Sequence, residues 1–522
     1  MATLSAQSTV PCIPRKAARS SRSAYKTIDV LCKRRYHKMQ NTSEVKQMKK
    51  VPAILLAAAM LLLCLFSCSF AEEKDVLVSG NYRYRLQEDG TALLLEYTGG
   101  GDYLEIPAQL GGAALTVIGP NAFKSCNSLV YVDIPSSVTE VGDYAFFYCR
   151  NLSIVNLPDS IRTIGRNPFA ACESLSTINI SKNHPSLSLQ DGVLFSLEDS
   201  RLVCYSMMLP KGPYDVPEGT KIIGASAFYA CKNLTGLTLP ETITSIGRKA
   251  FYECERLRSI NLPDSISYLG EGAFNGCRSL RSLKCPDTVT EIGSSAFENC
   301  SGLEELILPE GATAIGNRAF CNCSSLVSVR LPEGISLIGD STFAECRSLQ
   351  EIRLPEDVTY IGGAAFMNCF ELREINIPED VTYIGKNAFY KCTSLESLEL
   401  PDTCYYIGAG AFYGCTSLSD LTLPMMLNTV NADVFSGCAF EELEIPSRVT
   451  AIGDRAFLGC VRLTSVEIPG KVTTIGEGAF QYCVSLEEVD LPESLTYVAP
   501  DAFDRCPKLT GLPDLSGLSG PE

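Results

Sequence analysis

The side chains able to do chemistry in this chain are cysteines and acids. There are 24 Cys, 60 Asp and Glu, and only two His, His37 and His184. Two histidines cannot build a His-rich metal site or a chain of proton relays. Thiols could cross-link, ligate metal or act as nucleophiles, and their spacing decides which. Sixteen of the 24 Cys follow a Phe by three residues, from Phe123-x-x-Cys126 to Phe503-x-x-Cys506. A nucleophile or ligand is an exception in its sequence, whereas a residue that recurs with the same neighbours belongs to a scaffold. These thiols are therefore expected as small buried hydrophobes with weak S–H donors, because equivalent side chains in stacked coils point parallel and not at one another. Outside the N-terminal segment, Cys285 and Cys404 replace apolar core residues and Cys204 lies in an irregular stretch. Cys321 is the candidate for an accessible thiol. Cys321-x-Cys323 lacks the usual metal-ligand spacing. The chain carries no G-x-S-x-G, H-E-x-x-H or G-K-[ST] motif, so no enzyme and no cofactor are expected.

Those thiols are placed by one period. Phe recurs at 123, 146 and 169, from 228 to 435 in steps of 23, and again at 457, 480 and 503. The unit reads A-F-x-x-C-x-x-L-x-x-[ILV]-x-[IL]-P-x-x-[VI]-x-x-[IV]-G. Its L-x-x-[ILV]-x-[IL] part, as in Leu257, Ile260 and Leu262, ends in a short strand of period two. Pro has no N–H to continue a ladder and stops that strand. Apolar residues before Gly turn back inward, Gly supplies permissive backbone angles, and Ala-Phe opens the returning arc with one large ring per coil. A unit of 23 residues cannot bury these side chains alone, so the coils must stack into one continuous core with a parallel sheet along one face.

The charge is divided. Residues 1–71 hold 12 Lys and Arg against Asp29 and Glu44, which leaves 32 basic and 58 acidic residues and a net charge of −26 in 72–522. Such an acidic chain excludes a general nucleic-acid binder. The apolar run Val51 to Phe70 follows Met48-Lys49-Lys50 and precedes Ser69-Phe70-Ala71, the layout of a signal peptide over 48–71 cut after Ala71. Two alternatives stay open: a lipoprotein signal at Leu65-Phe66-Ser67-Cys68, or an uncleaved anchor. Residues 1–47 are then a mis-called start or a disordered extension, with Met48 the true start.

The repeat resembles the treponemal-type, BspA-like leucine-rich repeat, over about residues 102–512. The resemblance implies a repeat solenoid, a right-handed superhelix with its parallel β-sheet on the concave face and short turns or helical arcs on the convex face. It implies secretion or surface display and binding of other proteins or host surfaces. It carries no catalytic residues. Two departures stand out. Phe169 to Phe228 is 59 residues, which reads as a coil broadened over 181–224 by a hairpin of Gly192–Phe195 and Leu202–Tyr205. At the N-terminus, within 72–101, Tyr82–Leu86 and Ala92–Tyr97 read as a hairpin that caps the first coil. Residues 513–522 form a short polar tail.

Function could sit on two rows. The positions two and four after each repeat Leu should be exposed on the concave face. That row is neutral at first, mixes Arg330, Glu351, Arg353, Glu374, Asn376 and Glu399 in its middle, and ends almost purely acidic at Glu488 and Asp490. It reads either as a solvated face or as a docking surface. The second row is Tyr360, Tyr383 and Tyr406, with Tyr268 and Tyr497 elsewhere. Stacked tyrosines offer rigid contact area or simply pack on one another. The expected function is a secreted or cell-surface, monomeric protein that binds a protein ligand, such as a host-surface or extracellular-matrix protein, and mediates adhesion. A structural envelope protein without a specific ligand is the alternative. Membrane contact would come only through an uncleaved or lipidated N-terminal segment.

Overall fold

The computed structural model describes residues 75–510 and Leu518. The readings of 1–47, of the apolar run in 48–71 and of the tail 513–522, Leu518 apart, lie outside the described residues.

Most coils make two short strands. In the coil that starts at Leu349, strand a is Glu351–Arg353 and strand b is Tyr360–Ile361. Between them Pro355 ends strand a, as its missing N–H requires. Both strands pair in parallel with the same residues of neighbouring coils, 23 positions away. Glu351 faces Ser328 and Glu374, and Tyr360 faces Leu337 and Tyr383. Strand b was not anticipated, because two residues before a Gly carry no period-two signal. Leu349, Ile352, Leu354, Val358, Ile361, Ala365, Phe366 and Cys369 of this coil are all buried, so one core runs along the stack.

The third side of each coil decides between the two forms expected of it, turns and helical arcs, and corrects the reading of the repeat Gly. Among the described residues there is no helix, and the returning arc is made of turns. Its backbone alternates hand. In the coil of Phe343, Ser341 has φ 54° and Glu345 has φ 62°, and left-handed residues two before and two after the anchor Phe recur through most of the stack. Alternate N–H groups therefore point along the solenoid. Ser341, Phe343 and Glu345 donate to the carbonyls of Gly363, Ala365 and Met367 in the next coil at 2.7–2.8 Å. A helix would need these donors for bonds four residues back, so the inter-coil ladder excludes it. The repeat Gly after strand b is likewise not chosen for its angles. A Cβ at Gly293 would lie 2.7 Å from the Glu271 nitrogen and 2.8 Å from the Leu269 carbonyl oxygen, so the close approach of backbones excludes a side chain.

At the N-terminal end, Tyr82–Leu86 and Ala92–Tyr97 pair antiparallel, and a further strand, Leu77–Ser79, pairs with Tyr82–Leu86. Ala92–Tyr97 joins Ala113–Ile118 in parallel, so the hairpin continues the strand-b sheet.

The extra length between Phe169 and Phe228 does more than widen a coil. Leu187–Gln190, Val193–Ser196 and Arg201–Tyr205 form an antiparallel sheet, and Arg201–Tyr205 then pairs in parallel with Ile222–Ile223. The core divides here. Leu194, Val203 and Cys204 pack with the N-terminal coils, whereas Val193, Phe195, Leu202 and Tyr205 pack with the C-terminal coils. Alternation of side chains across a strand puts them on opposite faces. The register shift opposite Leu194 and Phe195 is a bulge that sends both Val203 and Cys204 the same way. Side chains bridge the two blocks: Arg201 donates to the Ile164 carbonyl at 2.8 Å and Asn167 to the Ser226 carbonyl at 2.6 Å.

Candidate binding faces

The thiols are accounted for first. Every repeat Cys turns its Sγ to a main-chain carbonyl of the preceding coil. Cys300, Cys346 and Cys415, for example, donate to Phe274, Phe320 and Phe389 at 3.1–3.2 Å. Cys126 and Cys231 donate instead to Tyr97 and Tyr205, whose rings lie 5.3 and 5.0 Å from Phe123 and Phe228 and so take the anchor position. Tyr205 lies 23 residues before Phe228, a signal that a search for Phe alone missed. The cysteines of the described residues are all free, and burial pushes Cys254, Cys300, Cys415 and Cys460 up to about 12. Cys285 and Cys404 are buried as anticipated, but Cys321 is not the accessible thiol: it too is buried, and burial raises it. The partly exposed thiols are Cys126 and Cys506, one toward each end of the stack.

His184 is also structural. Its Nδ1 accepts from the Ser186 and Leu187 nitrogens at 3.2 and 3.1 Å, which leaves Nε2–H to donate to the Pro158 carbonyl at 3.0 Å. No group of three His, Cys, Asp or Glu among the described residues is placed to hold a metal ion.

The strand-a row is a face of side chains on a backbone ladder. Arg330, Glu351, Arg353, Glu374 and Glu399 are exposed there. Parallel pairing sets like charges side by side: Arg330 lies opposite Arg353, and Glu351 opposite Glu374. Arg353 leans to Glu356 at 3.6 Å, an exposed pair of little stabilising value. Both arginines border a small depression of about 70 Å³ with Glu333 and Glu356. Asn376 differs from its neighbours. Its amide accepts from the Leu354 nitrogen at 2.8 Å and donates to the Leu354 carbonyl at 3.0 Å, so it stands in for a ladder bond and is half-buried. Asn261 does the same at Leu239.

The tyrosine row lies on strand b. Tyr360 and Tyr383 stack with centroids 4.8 Å apart, and Tyr383 and Tyr406 at 4.7 Å, with ring planes within 9°. The ring faces are used on one another, and the edges and hydroxyls remain outside. Partial burial, with the Asp340 carboxylate, raises the phenol of Tyr360. Burial and the flanking Tyr406 and Tyr360 raise that of Tyr383. The structure thus keeps the two rows on different strands, and brings together within each row the residues that the period aligned.

No curated protein matches this chain. Among solved structures it is similar to a leucine-rich repeat protein from Bacteroides ovatus, at 29% identity over 80% of this chain and 95% of that one, with a TM-score of 0.46. It is also similar to a leucine rich cell surface protein from Faecalibacterium prausnitzii, at 24% identity over 84% and 98% of the two chains, with a TM-score of 0.36. A third is the pneumococcal vaccine antigen PcpA, at 19% identity over 64% and 98%, with a TM-score of 0.29. The BspA type leucine rich repeat region matches residues 105–191, 213–326, 272–395 and 382–510. With that match over well more than half of the sequence, and with its period visible in every stacked coil, the chain belongs to the BspA type leucine rich repeat family.

Proposed function

We propose that this protein is secreted or displayed on a cell surface and binds a protein ligand along its strand-a face, mediating adhesion to a host or neighbouring-cell surface. The family is in general one of protein–protein interaction, and the observation that carries the reading here is the strand-a row. Its exposed side chains sit at fixed spacing on a hydrogen-bonded backbone, with like charges held in register at Arg330/Arg353 and Glu351/Glu374. Holding like charges adjacent costs stability, and a partner of opposite charge would relieve that cost. The leader-like pattern of 48–71 and the net charge of −26 beyond it support export. The contact would be a sum of many weak, salt-sensitive interactions.

A pull-down with residues 72–522 against extracellular-matrix and cell-surface proteins tests this. Saturable binding that weakens with salt and is lost on joint charge reversal, Arg330→Glu with Arg353→Glu, is expected. Absence of any saturable binding would overturn the adhesion reading in favour of a structural envelope protein.

A further inference from the structure

The regular turn surface is interrupted where the two core blocks meet. Two residues after the anchor position, successive coils carry Tyr148, Ala171, Met207, Ala230, Glu253 and Gly276, with Met207 following Tyr205. The two alanines fall one on each side of the junction. With no side chain beyond Cβ they leave a cavity of about 170 Å³, walled by Tyr148 and Tyr229 and by Glu253, with Met207 and Asn233 also lining it. On the far side of Glu253 the next coil has only Gly276.

The walls are aromatic and carry one carboxylate without a counter-ion. Tyr229 stacks on Tyr252 at 4.9 Å, and Phe147 meets Tyr229 and Tyr148 edge-on at 5.8 and 4.7 Å. The cluster already collects cations from its own chain: Arg150 lies 5.2 Å from the Tyr148 ring and Lys249 lies 5.3 Å from the Tyr252 ring. Two more charged side chains line the cavity, and both are paired: Glu173 with Arg150 at 3.5 Å and Lys232 with Glu255 at 4.0 Å. Glu253 has no ion pair among the described residues. Glu345 holds the same place in its own coil, and there the carboxylate is satisfied: Arg347 donates to it at 2.9 Å and Asn368 at 2.6 Å. At Glu253 the residue two further on is Glu255, which cannot play that part and turns to Lys232 instead.

We propose that this junction cavity is a docking site for one lysine or arginine side chain of a protein partner, with the cation between the Tyr148 and Tyr229 rings and against the Glu253 carboxylate. Cation–π attraction and a charge-assisted hydrogen bond are the two forces that such walls supply. The site lies on the turn side of the coils, away from the strand-a row. It would anchor the same protein-binding activity at a second point, and in that sense it rests on the reading above.

Titration of residues 72–522 with the methylamides of N-acetyl-lysine, N-acetyl-arginine and N-acetyl-norleucine, followed by ligand-observed NMR, tests the site without any partner protein. A failed pull-down and a failed titration are therefore read separately. The two cationic probes should bind at least tenfold more tightly than norleucine, and Glu253→Gln should weaken them about tenfold while Glu345→Gln does not. Tyr229→Leu should abolish binding and Tyr229→Phe should keep it. Equal binding of norleucine, or no change with Glu253→Gln at an unaltered melting temperature, would overturn the assignment.

Discussion

At Gly293 a single hydrogen atom decides whether two coils can meet. Its would-be Cβ lies 2.7 Å from the Glu271 nitrogen and 2.8 Å from the Gly270 carbonyl carbon, both main-chain atoms that cannot move without breaking a ladder. Gly293→Ala is therefore expected to cost about 2 kcal/mol or more, as overpacking does. Ala364 offers the contrast. It holds φ 53°, where Cβ is strained, so Ala364→Gly should be neutral or stabilising by up to about 1 kcal/mol despite the entropy that Gly adds to the unfolded chain. Urea unfolding of the two variants checks both signs, and a destabilised Ala364→Gly with a harmless Gly293→Ala would contradict the account.

At the scale of the element, the tyrosine ladder separates packing from docking. Tyr383 has a ring on each side, at 4.8 and 4.7 Å, while Tyr360 stacks on one tyrosine only. Aromatic pairs contribute about 0.5–1.5 kcal/mol each beyond burial. Tyr383→Ala should thus lower stability by roughly twice as much as Tyr360→Ala. Equal losses in a denaturant melt would mean that the stack contributes nothing and that the rings are held for a partner. The period aligned these three rings, but whether their faces were free was not legible. That depended on strand b being so closely paired that equivalent side chains touch.

Over the whole molecule the cysteine ladder sets an alkaline limit. Burial pushes the thiols of Cys204, Cys254, Cys285, Cys300, Cys415 and Cys460 up to about 12, and further members of the ladder are raised as well. In the unfolded chain a thiol ionises near 8.5. Because the folded value is the higher one, the folded state holds more protons as pH rises past the unfolded value. Stability is then full below about 8.5 and is lost above it, by about 1.4 kcal/mol per thiol for each pH unit. Summed over a ladder, this predicts steep unfolding between about pH 9 and 10.5, with release of several protons. Replacing four of the six with Ala should make the transition shallower, which circular dichroism against pH would show. A stack that stays folded at pH 11 would contradict the buried, protonated ladder. The division of the core between Leu194/Cys204 and Val193/Tyr205 also bears on this scale. The two blocks pack on opposite faces of the Leu187–Tyr205 sheet and share neither a strand pairing nor a phenylalanine stack, so the block over 77–180 should unfold as a separate step in urea.

The solenoid, its period and its buried Phe and Cys were already determined by the sequence, because a side chain repeated every 23 residues can be buried only by its own copies. The hairpin strands at Tyr82–Leu86 and Ala92–Tyr97 were legible for a similar reason, since alternation over five or six residues and a Gly turn are local signals. What the tertiary structure decided lies between coils. It turned the expected arcs into an alternating-hand ladder, gave Gly its role as a contact, buried Cys321 and committed Asn376 to Leu354. It also opened a cavity lined by both Ala171 and Ala230, 59 residues apart in sequence. Contacts between neighbours in a stack depend on the distance and register of backbones, and neither is written in the residues of one coil alone.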